Sequence, residues 1–353
     1  MRYIVNDNLH SQLSKATRPA QCRIDDEAPK PAAEAYGKVR ALEIESEEAL
    51  TDFTMGGSVT GVAWSINPYV GCLHACRYCY VPNTMHVERQ RWGTYVVAKH
   101  NLPQRLRKEL KHRKRLSVYI STSTDPYQAP EREHGITRAC LRLLAREDWP
   151  VEVLTRSPLV LRDLDILKRL TRVRVGLSVP TIDDEARQAL EPAAPAIPAR
   201  LSALRKVADA GLPVFANYTP AYPPTNGHTM ADVAEAFAKA GVHWINTTGW
   251  RRIPHILGPL WDRFHKTPWA RLVKFIGDEK GQEALYADLV KEMRRVDIPV
   301  HTGFFNPPFD LAEPYEATSQ MKLEVEESAP EPVVAPWWGQ PAGPLEIVVN
   351  RHP

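Results

Sequence analysis

The sequence predicts an α/β fold in which parallel strands form a barrel or partial barrel. Between residues 59 and about 305, short β-like runs alternate with helical patterns, which is typical of a parallel sheet. Six or more such units fit a barrel better than an open sheet. We therefore expect an N-terminal leader over residues 1–58, a barrel domain over 59–305 and an extended tail over 306–353.

Seven β-like runs make up the predicted sheet. They cover residues 64–70, 116–122, 151–155, 173–179, 213–218, 243–247 and 299–303. In parallel α/β folds the chemistry takes place at the C-terminal ends of the strands. The polar residues that close these runs are therefore candidate site residues.

Helical periodicity fills the intervals between the runs. The clearest patterns cover residues 101–115, 133–147, 199–211 and 229–241. Gly211 and Gly241 stand where a left-handed glycine ends a helix, and Thr229 stands where a hydroxyl caps a first turn.

Both ends of the chain differ from this pattern. The leader has weak periodicity, with a proline-alanine stretch at 28–33 and an acidic run at 43–48, so we expect it to be irregular or partly ordered. Residues 311–353 hold seven prolines and seven glutamates but only two basic residues. This composition predicts a largely extended tail, packed locally through Trp337 and Trp338.

Composition narrows the class of protein. Of 353 residues, 43% are hydrophobic, which is enough for a sizeable core. The net charge of +3 creates no global basic field that would require a nucleic-acid partner. No apolar run reaches ~18 residues and the N-terminus lacks an apolar signal segment, so we expect a cytoplasmic protein without a membrane span.

Three of the five cysteines lie within eight residues, in the sequence NPYVGCLHACRYCY at 67–80. Cys72, Cys76 and Cys79 have the spacing C-x3-C-x2-C, and soft thiolates favour zinc or an iron–sulfur cluster. A structural zinc site needs four ligands, whereas a [4Fe–4S] cluster on three cysteines leaves one iron open. His74 is badly placed to be a fourth ligand, while Cys140 and the distant Cys22 stay possible. The alternatives are a zinc knuckle and three buried small hydrophobic residues.

The cysteine motif resembles that of the radical S-adenosylmethionine (SAM) superfamily. With STSTDPYQAPE at 121–131 and LTRSPLVLRDLDIL at 154–167, it resembles the group related to spore photoproduct lyase, over residues 60 to about 300. The resemblance implies a partial (βα)6 TIM-like barrel in which Cys72, Cys76 and Cys79 hold a [4Fe–4S] cluster. SAM would chelate the open iron, and its reductive cleavage would give a 5′-deoxyadenosyl radical that abstracts hydrogen from substrate. An external reductant such as flavodoxin or ferredoxin is implied.

The resemblance also suggests contacts to SAM. Tyr78 matches an aromatic position near the adenine, with ordinary packing as the alternative. The Gly-Gly-Glu-like motif that binds the SAM amino group in many members is absent, and 121–125 stand in its place. Ser123 and Asp125 are the candidate acceptors there, although an Asp-Pro turn with hydroxyl caps fits the same residues.

Three further strand ends supply candidates. Arg156 suits the SAM carboxylate, because a guanidinium grips a carboxylate with two bonds, or it is a solvated surface residue. Ser178 and Asn217 suit the ribose. Glu191 and Arg200 match an EP…R pattern, for which we expect an ion pair or a ribose contact.

One departure from the lyase group concerns a cysteine. Spore photoproduct lyase uses a cysteine as hydrogen donor in a loop shortly after the second strand. The matching DPYQAPEREHG at 125–135 has none, and Cys140 lies in a predicted helix, where a core position is expected. This argues against repair of thymine dimers.

Two segments could bind nucleic acid. Residues 89–115 hold ten Lys or Arg, and 246–269 mix tryptophans with cations, which suits stacked bases and phosphates. A solvated helix face and a helix that closes the barrel are the respective alternatives. A nucleic acid is the leading substrate, and a peptide or small metabolite is the alternative. A non-catalytic, metal-stabilised nucleic-acid-binding module and an iron–sulfur electron carrier are competing functions.

Overall fold

A computed structural model describes residues 42–53, 62–85, 87–250 and 254–302. These residues form strands that alternate with helices. The strands are β1 (Leu42–Ile44), β2 (Thr51–Asp52), β3 (Val62–Ile66), β4 (Tyr69–Val70), β5 (Val97–Lys99), β6 (Ser117–Ile120), β7 (Val151–Thr155), β8 (Val173–Ser178), β9 (Val214–Tyr218), β10 (Trp244–Thr247) and β11 (Val300–Thr302).

Helices fill most of the intervals between these strands. They are α1 (Val81–Thr84), α2 (Leu102–Glu109), α3 (Glu131–His134), α4 (Ile136–Arg146), α5 (Leu164–Leu167), α6 (Asp184–Leu190), α7 (Ile197–Asp209), α8 (Met230–Lys239), α9 (Pro254–Phe264), α10 (Ala270–Ile276) and α11 (Glu279–Arg295). Short 3-10 helices cover Arg89–Arg91 and Pro158–Asp163.

The main sheet confirms the predicted α/β class. Its order is β11-β10-β9-β8-β7-β6-β3-β2, with seven neighbouring strands parallel and β2 antiparallel at the edge. This is an open, barrel-like sheet, and β11 adds a strand beyond the six of the predicted (βα)6 unit. A second, three-stranded sheet has the order β1-β5-β4.

The core lies between the helices and the face of the sheet that they cover. Alternate strand residues such as Val151, Val153, Val175 and Leu177 pack there and are fully buried. The opposite face lines the barrel interior, where Phe215 stacks on Trp244 at 5.3 Å between ring centroids. Side chains alternate between the two faces because the strand period is two residues.

Helix ends follow local chemistry where the sequence signals are strong. Thr229 caps α8 in a capping box with Asp232, and Gly211 and Gly241 have the positive φ of +80° and +70° that ends α7 and α8. Gly135, at φ +61°, divides the predicted 133–147 helix into α3 and α4.

Two predicted elements are wrong in extent. The helix predicted over 101–115 ends at Glu109. After Leu110, which packs against the core, residues 111–115 offer no apolar side chain that could continue the buried face. The run predicted over 64–70 is two strands in different sheets. They are separated at Asn67 and Pro68, where proline cannot donate a ladder hydrogen bond.

The predicted leader and tail are only partly covered by the structure. Within 42–53, β1 pairs with β5 and β2 pairs with β3. Cys22, Trp337, Trp338 and the segment 306–353 lie outside the described residues. Within the described ranges, no helix is both long and apolar enough to cross a membrane.

The barrel interior has no space beside Gly176. A methyl group there would lie 2.3 Å from the Phe215 ring. We expect Gly176→Ala to lower the free energy of unfolding by roughly 1–3 kcal/mol, because the stacked aromatic pair must shift. Urea denaturation followed by circular dichroism measures this difference. Gly258→Ala is the control, because a methyl group at this exposed helix position meets nothing within 4 Å. If Gly176→Ala had the same free energy of unfolding as wild type, the close packing beside Gly176 would be contradicted.

Candidate active site

The predicted site residues surround one cavity of about 190 Å³ at the C-terminal ends of the strands. Its walls include strand-end residues from β6 to β9 and residues just beyond β10. All nine predicted residues line it: Cys72, Cys76, Cys79, Tyr78, Ser123, Asp125, Arg156, Ser178 and Asn217. Neighbouring strands of a parallel sheet end at the same edge, which is why residues far apart in sequence meet here.

The loop that carries the cysteines has a tightly constrained backbone. Gly71 has a φ of +81°, and a Cβ there would lie 2.7 Å from the carbonyl oxygen of Tyr95. Ala75 also has a positive φ, +52°, and a Cβ on Gly93 would lie 2.4 Å from its methyl group. Only glycine fits at 71 and 93 without moving the loop.

Arg89 holds the second half of this loop. Its guanidinium donates to the carbonyl oxygens of Arg77 at 3.2 Å and Cys79 at 2.8 Å. The Arg77 N–H donates to the carbonyl oxygen of Leu190 at 2.9 Å, which ties the loop to the end of α6. Arg89 belongs to the predicted basic segment, but here its charge organises the cysteine loop.

The three thiols face the cavity from its loop side. Burial raises the pKa of Cys72, Cys76 and Cys79 to about 12, so each is a protonated thiol at neutral pH until a metal displaces the proton. Arg156 opposes this rise at Cys76. No three His, Cys, Asp or Glu side chains in the described ranges lie close enough to ligate a single metal ion.

The other possible thiol and imidazole ligands lie elsewhere. His74 is buried, with Nδ1 at 3.4 Å from Oδ2 of Asp125, and burial lowers its pKa to about 4, so it is neutral. Cys140 is 1% exposed within α4 and packs in the main core, as predicted. Among the described residues, the donor set at the cavity is therefore three thiols, which suits an iron–sulfur cluster with one open iron better than a four-ligand zinc site.

Asp125 joins the ends of β6 and β7. Its Oδ1 accepts from the Thr155 hydroxyl at 2.6 Å and the Tyr127 N–H at 2.9 Å, and its Oδ2 accepts from the Arg156 N–H at 2.7 Å. Both oxygens are thus occupied by protein donors. This geometry suits a positioning residue better than the predicted acceptor for the SAM amino group.

Asn67 holds the Ser-Thr segment that follows β6, and sequence reasoning missed it. Its Oδ1 accepts from the N–H groups of Thr122 at 3.0 Å and Ser123 at 3.1 Å, and from the Ser123 hydroxyl at 3.1 Å. Its Nδ2 donates to the Ser65 hydroxyl at 3.0 Å. The available signal was an Asn-Pro pair in the middle of the first predicted run.

Glu191 is fully buried between two arginines. Its Oε1 lies 3.1 Å from Nε of Arg156 and accepts from the Tyr78 hydroxyl, and its Oε2 lies 2.6 Å from Nη2 of Arg200. Burial raises the pKa of Glu191, but Arg200 and Arg156 outweigh burial and hold it at about 2. The expected ion pair between Glu191 and Arg200 is present, and Arg156, predicted to bind the SAM carboxylate, belongs to the same group.

Unpaired polar atoms face the cavity near β8, β9 and β10. Oδ1 of Asn217 and Oγ1 of Thr248 are buried and have no hydrogen-bond partner among the described residues. Ser178 also lines the cavity, and its carbonyl oxygen accepts from Arg200 at 2.9 Å. Acceptors of this kind suit the hydroxyl or ammonium donors of SAM, so the residues fit that cofactor.

An aromatic cluster closes the other side of the cavity. Tyr78 lies 5.5 Å from Trp250 and 5.9 Å from Tyr222, between ring centroids, and Tyr222 stacks on Trp250 at 5.1 Å. Tyr78 therefore makes the packing contacts that were its alternative interpretation, while its edge still lines the cavity. Trp250 comes from the predicted 246–269 segment.

The two segments predicted to bind nucleic acid differ in their position relative to the cavity. The run 108–115 leads into the N-terminal end of β6, where the Arg113 guanidinium lies 5.0 Å from the Trp64 ring. This is the opposite end of the strands from the cavity. The 246–269 segment begins at the cavity, and its Trp261 is 45% exposed and stacks on His265 at 5.6 Å. Arg251 and Arg252 lie outside the described residues.

We expect Glu191→Gln to destabilise the protein by about 3–5 kcal/mol, because the change leaves the buried Arg200 guanidinium and the mostly buried Arg156 guanidinium without their shared counter-charge. Chemical denaturation at neutral pH measures the change. Asp209→Asn is the matched control, since it removes an exposed ion pair with Arg205, which is worth at most ~1 kcal/mol. If both variants lost the same free energy of unfolding, the larger contribution proposed for the buried group would be contradicted.

The difference in stability between wild type and Glu191→Gln should depend on pH. The folded-state pKa of Glu191 is depressed from 4.5 to about 2, so its stabilisation is complete above the ordinary value and is lost as pH falls toward the folded value. The stability difference between wild type and Glu191→Gln should therefore shrink between about pH 4.5 and 2. A difference that stays constant over this window would contradict the depressed pKa.

Comparison with known proteins shows what this chain is similar to. Residues 66–237 match the sequence model of the radical SAM superfamily. An uncharacterised protein of Methanocaldococcus jannaschii is 32% identical over 166 residues, covering 47% of this chain and 62% of that protein. An uncharacterised Mycobacterium tuberculosis protein is 30% identical over 197 residues, covering 53% of this chain and 58% of its own length. The chain thus spans about three fifths of these curated relatives.

Solved structures of spore photoproduct lyase share the fold. One mutant matches with a TM-score of 0.59 and 13% identity, over 86% of this chain and 95% of that chain. Another, with bound AdoMet and dinucleoside spore photoproduct, matches with a TM-score of 0.57 and 13% identity over the same 86% and 95%. The resemblance and the fold class predicted from the sequence are confirmed: residues 66–237 match the radical SAM sequence model, and the fold is similar to that of spore photoproduct lyase.

Proposed function

We propose that this protein is a radical SAM enzyme in which Cys72, Cys76 and Cys79 hold a [4Fe–4S] cluster and the adjoining cavity holds SAM. The radical SAM domain supports this class of catalysis. The observation that carries the proposal is that three thiols, without a fourth Cys or His ligand among the described residues, face the cavity lined by all the other predicted SAM residues.

When bound and reduced by a flavodoxin- or ferredoxin-type donor, the cluster supplies the electron that cleaves SAM, so that a 5′-deoxyadenosyl radical can abstract hydrogen from substrate. The chain's own residues provide the setting. Arg156 places a positive charge beside Cys76, which favours the thiolate over the thiol. The surrounding aromatic rings exclude water, which would otherwise compete for the site.

The geometry suggests a division of roles among the predicted SAM residues. Asn217, Ser178 and Thr248 present polar atoms to the cavity and are the proposed contacts to SAM. Asp125 is bonded to protein donors, and Arg156 is shared between Glu191 and Tyr78, so we assign these two mainly to positioning. Ser123, bonded to Asn67, can still accept a bond from the SAM amino group.

We also propose a nucleic acid as the substrate. Support comes from the dinucleoside spore photoproduct bound to the structural relative and from the segment beyond β10. This segment lines the cavity with Trp250 and exposes Trp261, stacked on His265, with Lys266 close by. Exposed aromatics beside cations are the usual platform for unpaired bases. A peptide or small metabolite is the competing substrate class.

The reaction differs from one that uses a cysteine as hydrogen donor in this cavity. The segment that follows β6 contains no cysteine. Cys140 is buried in α4 and does not line the cavity. Among the described residues, the cavity cysteines are the three proposed cluster ligands, so a substrate radical must be quenched by another group, or by SAM-derived deoxyadenosine.

Anaerobic reconstitution with iron and sulfide tests the cofactor assignment. We expect about four irons per chain and release of 5′-deoxyadenosine on addition of dithionite and SAM. Cys72→Ala, Cys76→Ala and Cys79→Ala should abolish both, whereas Cys140→Ala, the control with a buried thiol outside the cavity, should retain them. One tightly held zinc and no iron would overturn the proposal.

Oligonucleotide binding tests the substrate class. We expect Trp261→Ala to weaken binding of single-stranded DNA by at least about fivefold, since stacking contributes roughly 1–3 kcal/mol per base. Tyr286→Ala is the matched control, because Tyr286 is also an exposed aromatic, at 37% against 45% for Trp261, but lies on α11. Equal binding by wild type and both variants, or no binding at all, would favour the peptide or small-metabolite class.

A further inference from the structure

The segment 124–131 packs against the first half of the cysteine loop. The Thr124 hydroxyl donates to the Gly71 carbonyl oxygen, and Oε2 of Glu131 accepts from the Tyr69 hydroxyl at 2.5 Å. Gln128 lies between these contacts and is 1% exposed. The segment therefore meets the loop through a buried row of polar side chains.

Gln128 binds the peptide groups on both sides of Cys72. Its Oε1 accepts from the Leu73 N–H at 2.9 Å. Its Nε2 donates to the Gly71 carbonyl oxygen at 3.1 Å and to the Thr124 hydroxyl at 2.9 Å. The carboxamide thus joins the residue before Cys72 to the residue after it.

A pair of bonds of this kind constrains the backbone dihedrals of Cys72 directly. The preceding residue, Gly71, has a φ of +81°, a conformation that has no hydrogen bond of a regular strand or helix to maintain it. A carboxamide is required because it must donate on one side and accept on the other. Among the described contacts, Gln128 is the side chain that reaches both flanking peptide groups.

We propose that Gln128 is a positioning residue that sets the direction of the Cys72 thiol toward the cluster. The inference rests on the proposed function, since it concerns one of the three proposed cluster ligands. Gln128 does not line the cavity, so it acts through the loop backbone and not on SAM or substrate. Its loss leaves Cys72 present but free to turn, which weakens one of three iron–sulfur bonds.

Gln128→Met tests the inference, because methionine has a similar length but cannot bond either peptide group. In the apoprotein, we expect the Leu73 amide hydrogen to exchange roughly tenfold faster in the variant, as one buried hydrogen bond is lost. In the reconstituted protein, we expect roughly tenfold faster loss of iron to a chelator and an altered electron paramagnetic resonance signal from the reduced cluster.

Two further variants separate positioning from general destabilisation. Thr247→Val removes a buried hydroxyl that donates to the Tyr218 carbonyl at 3.0 Å, far along the sheet from the cysteine loop. It should match wild type in iron loss and in the resonance signal. Gln128→Glu keeps the acceptor for the Leu73 N–H but turns an oxygen toward the Gly71 carbonyl oxygen. It should therefore exchange the Leu73 amide hydrogen more slowly than Gln128→Met and still lose iron faster than wild type, and it serves as the test if the methionine variant does not fold.

The outcomes distinguish this inference from the proposed function. If wild type takes up no [4Fe–4S] cluster, the proposed function fails and the assignment of Gln128 to the cluster falls with it. If wild type takes up the cluster, and Gln128→Met matches it in exchange at Leu73, iron loss and resonance signal, the inference alone is overturned. Faster iron loss in Thr247→Val equal to that in Gln128→Met would also overturn it.

Discussion

The buried carboxylate of Glu191 is the constraint on which the arrangement of the site depends. It lies at the end of α6 and binds Arg156 after β7, Arg200 on α7 and the Tyr78 hydroxyl in the cysteine loop. A buried charge is tolerated only when its partners are held in place, so these four elements must keep a fixed relation to one another. The cavity lies beside Arg156 and Tyr78, at the C-terminal ends of the strands.

Hydrogen bonds from three further side chains also hold the loops of the site together. Asn67, just after β3, binds the Ser-Thr segment that follows β6, and Gln128 binds the cysteine loop. Asp125 links that same segment to the end of β7. These hydrogen bonds join residues that are far apart in sequence. Asp125 and Arg156 are 31 residues apart, and Gln128 and Gly71 are 57 residues apart. The site is therefore preorganised by contacts between loops, and the sheet supplies their common edge.

Sequence reasoning located the seven parallel strands of the main sheet and the three cysteines that line the cavity, because these follow from local pattern and from the shared edge of a parallel sheet. It missed the short strands β1, β2 and β5. It identified the cap at Thr229 for the same local reason. It could not reveal that Asp125 binds Thr155 or that Arg156 pairs with Glu191, because these partners lie 30 and 35 residues away in sequence. Asn67 and Gln128 carry no local signal of their function, and the end of α2 depends on where its apolar face runs out.

The stacked pair of Phe215 and Trp244, with Gly176 against it, fills the barrel interior below the strand ends. The pair forms a floor beneath the cavity, so the approach for any ligand lies on the side of the strand ends, beside the cysteine loop and the segment that follows β10. A small cofactor and a large substrate would then share one approach, and a polymer covering it would trap whatever lay beneath. Under the proposed function, the cofactor would therefore have to bind before a polymeric substrate and leave after it.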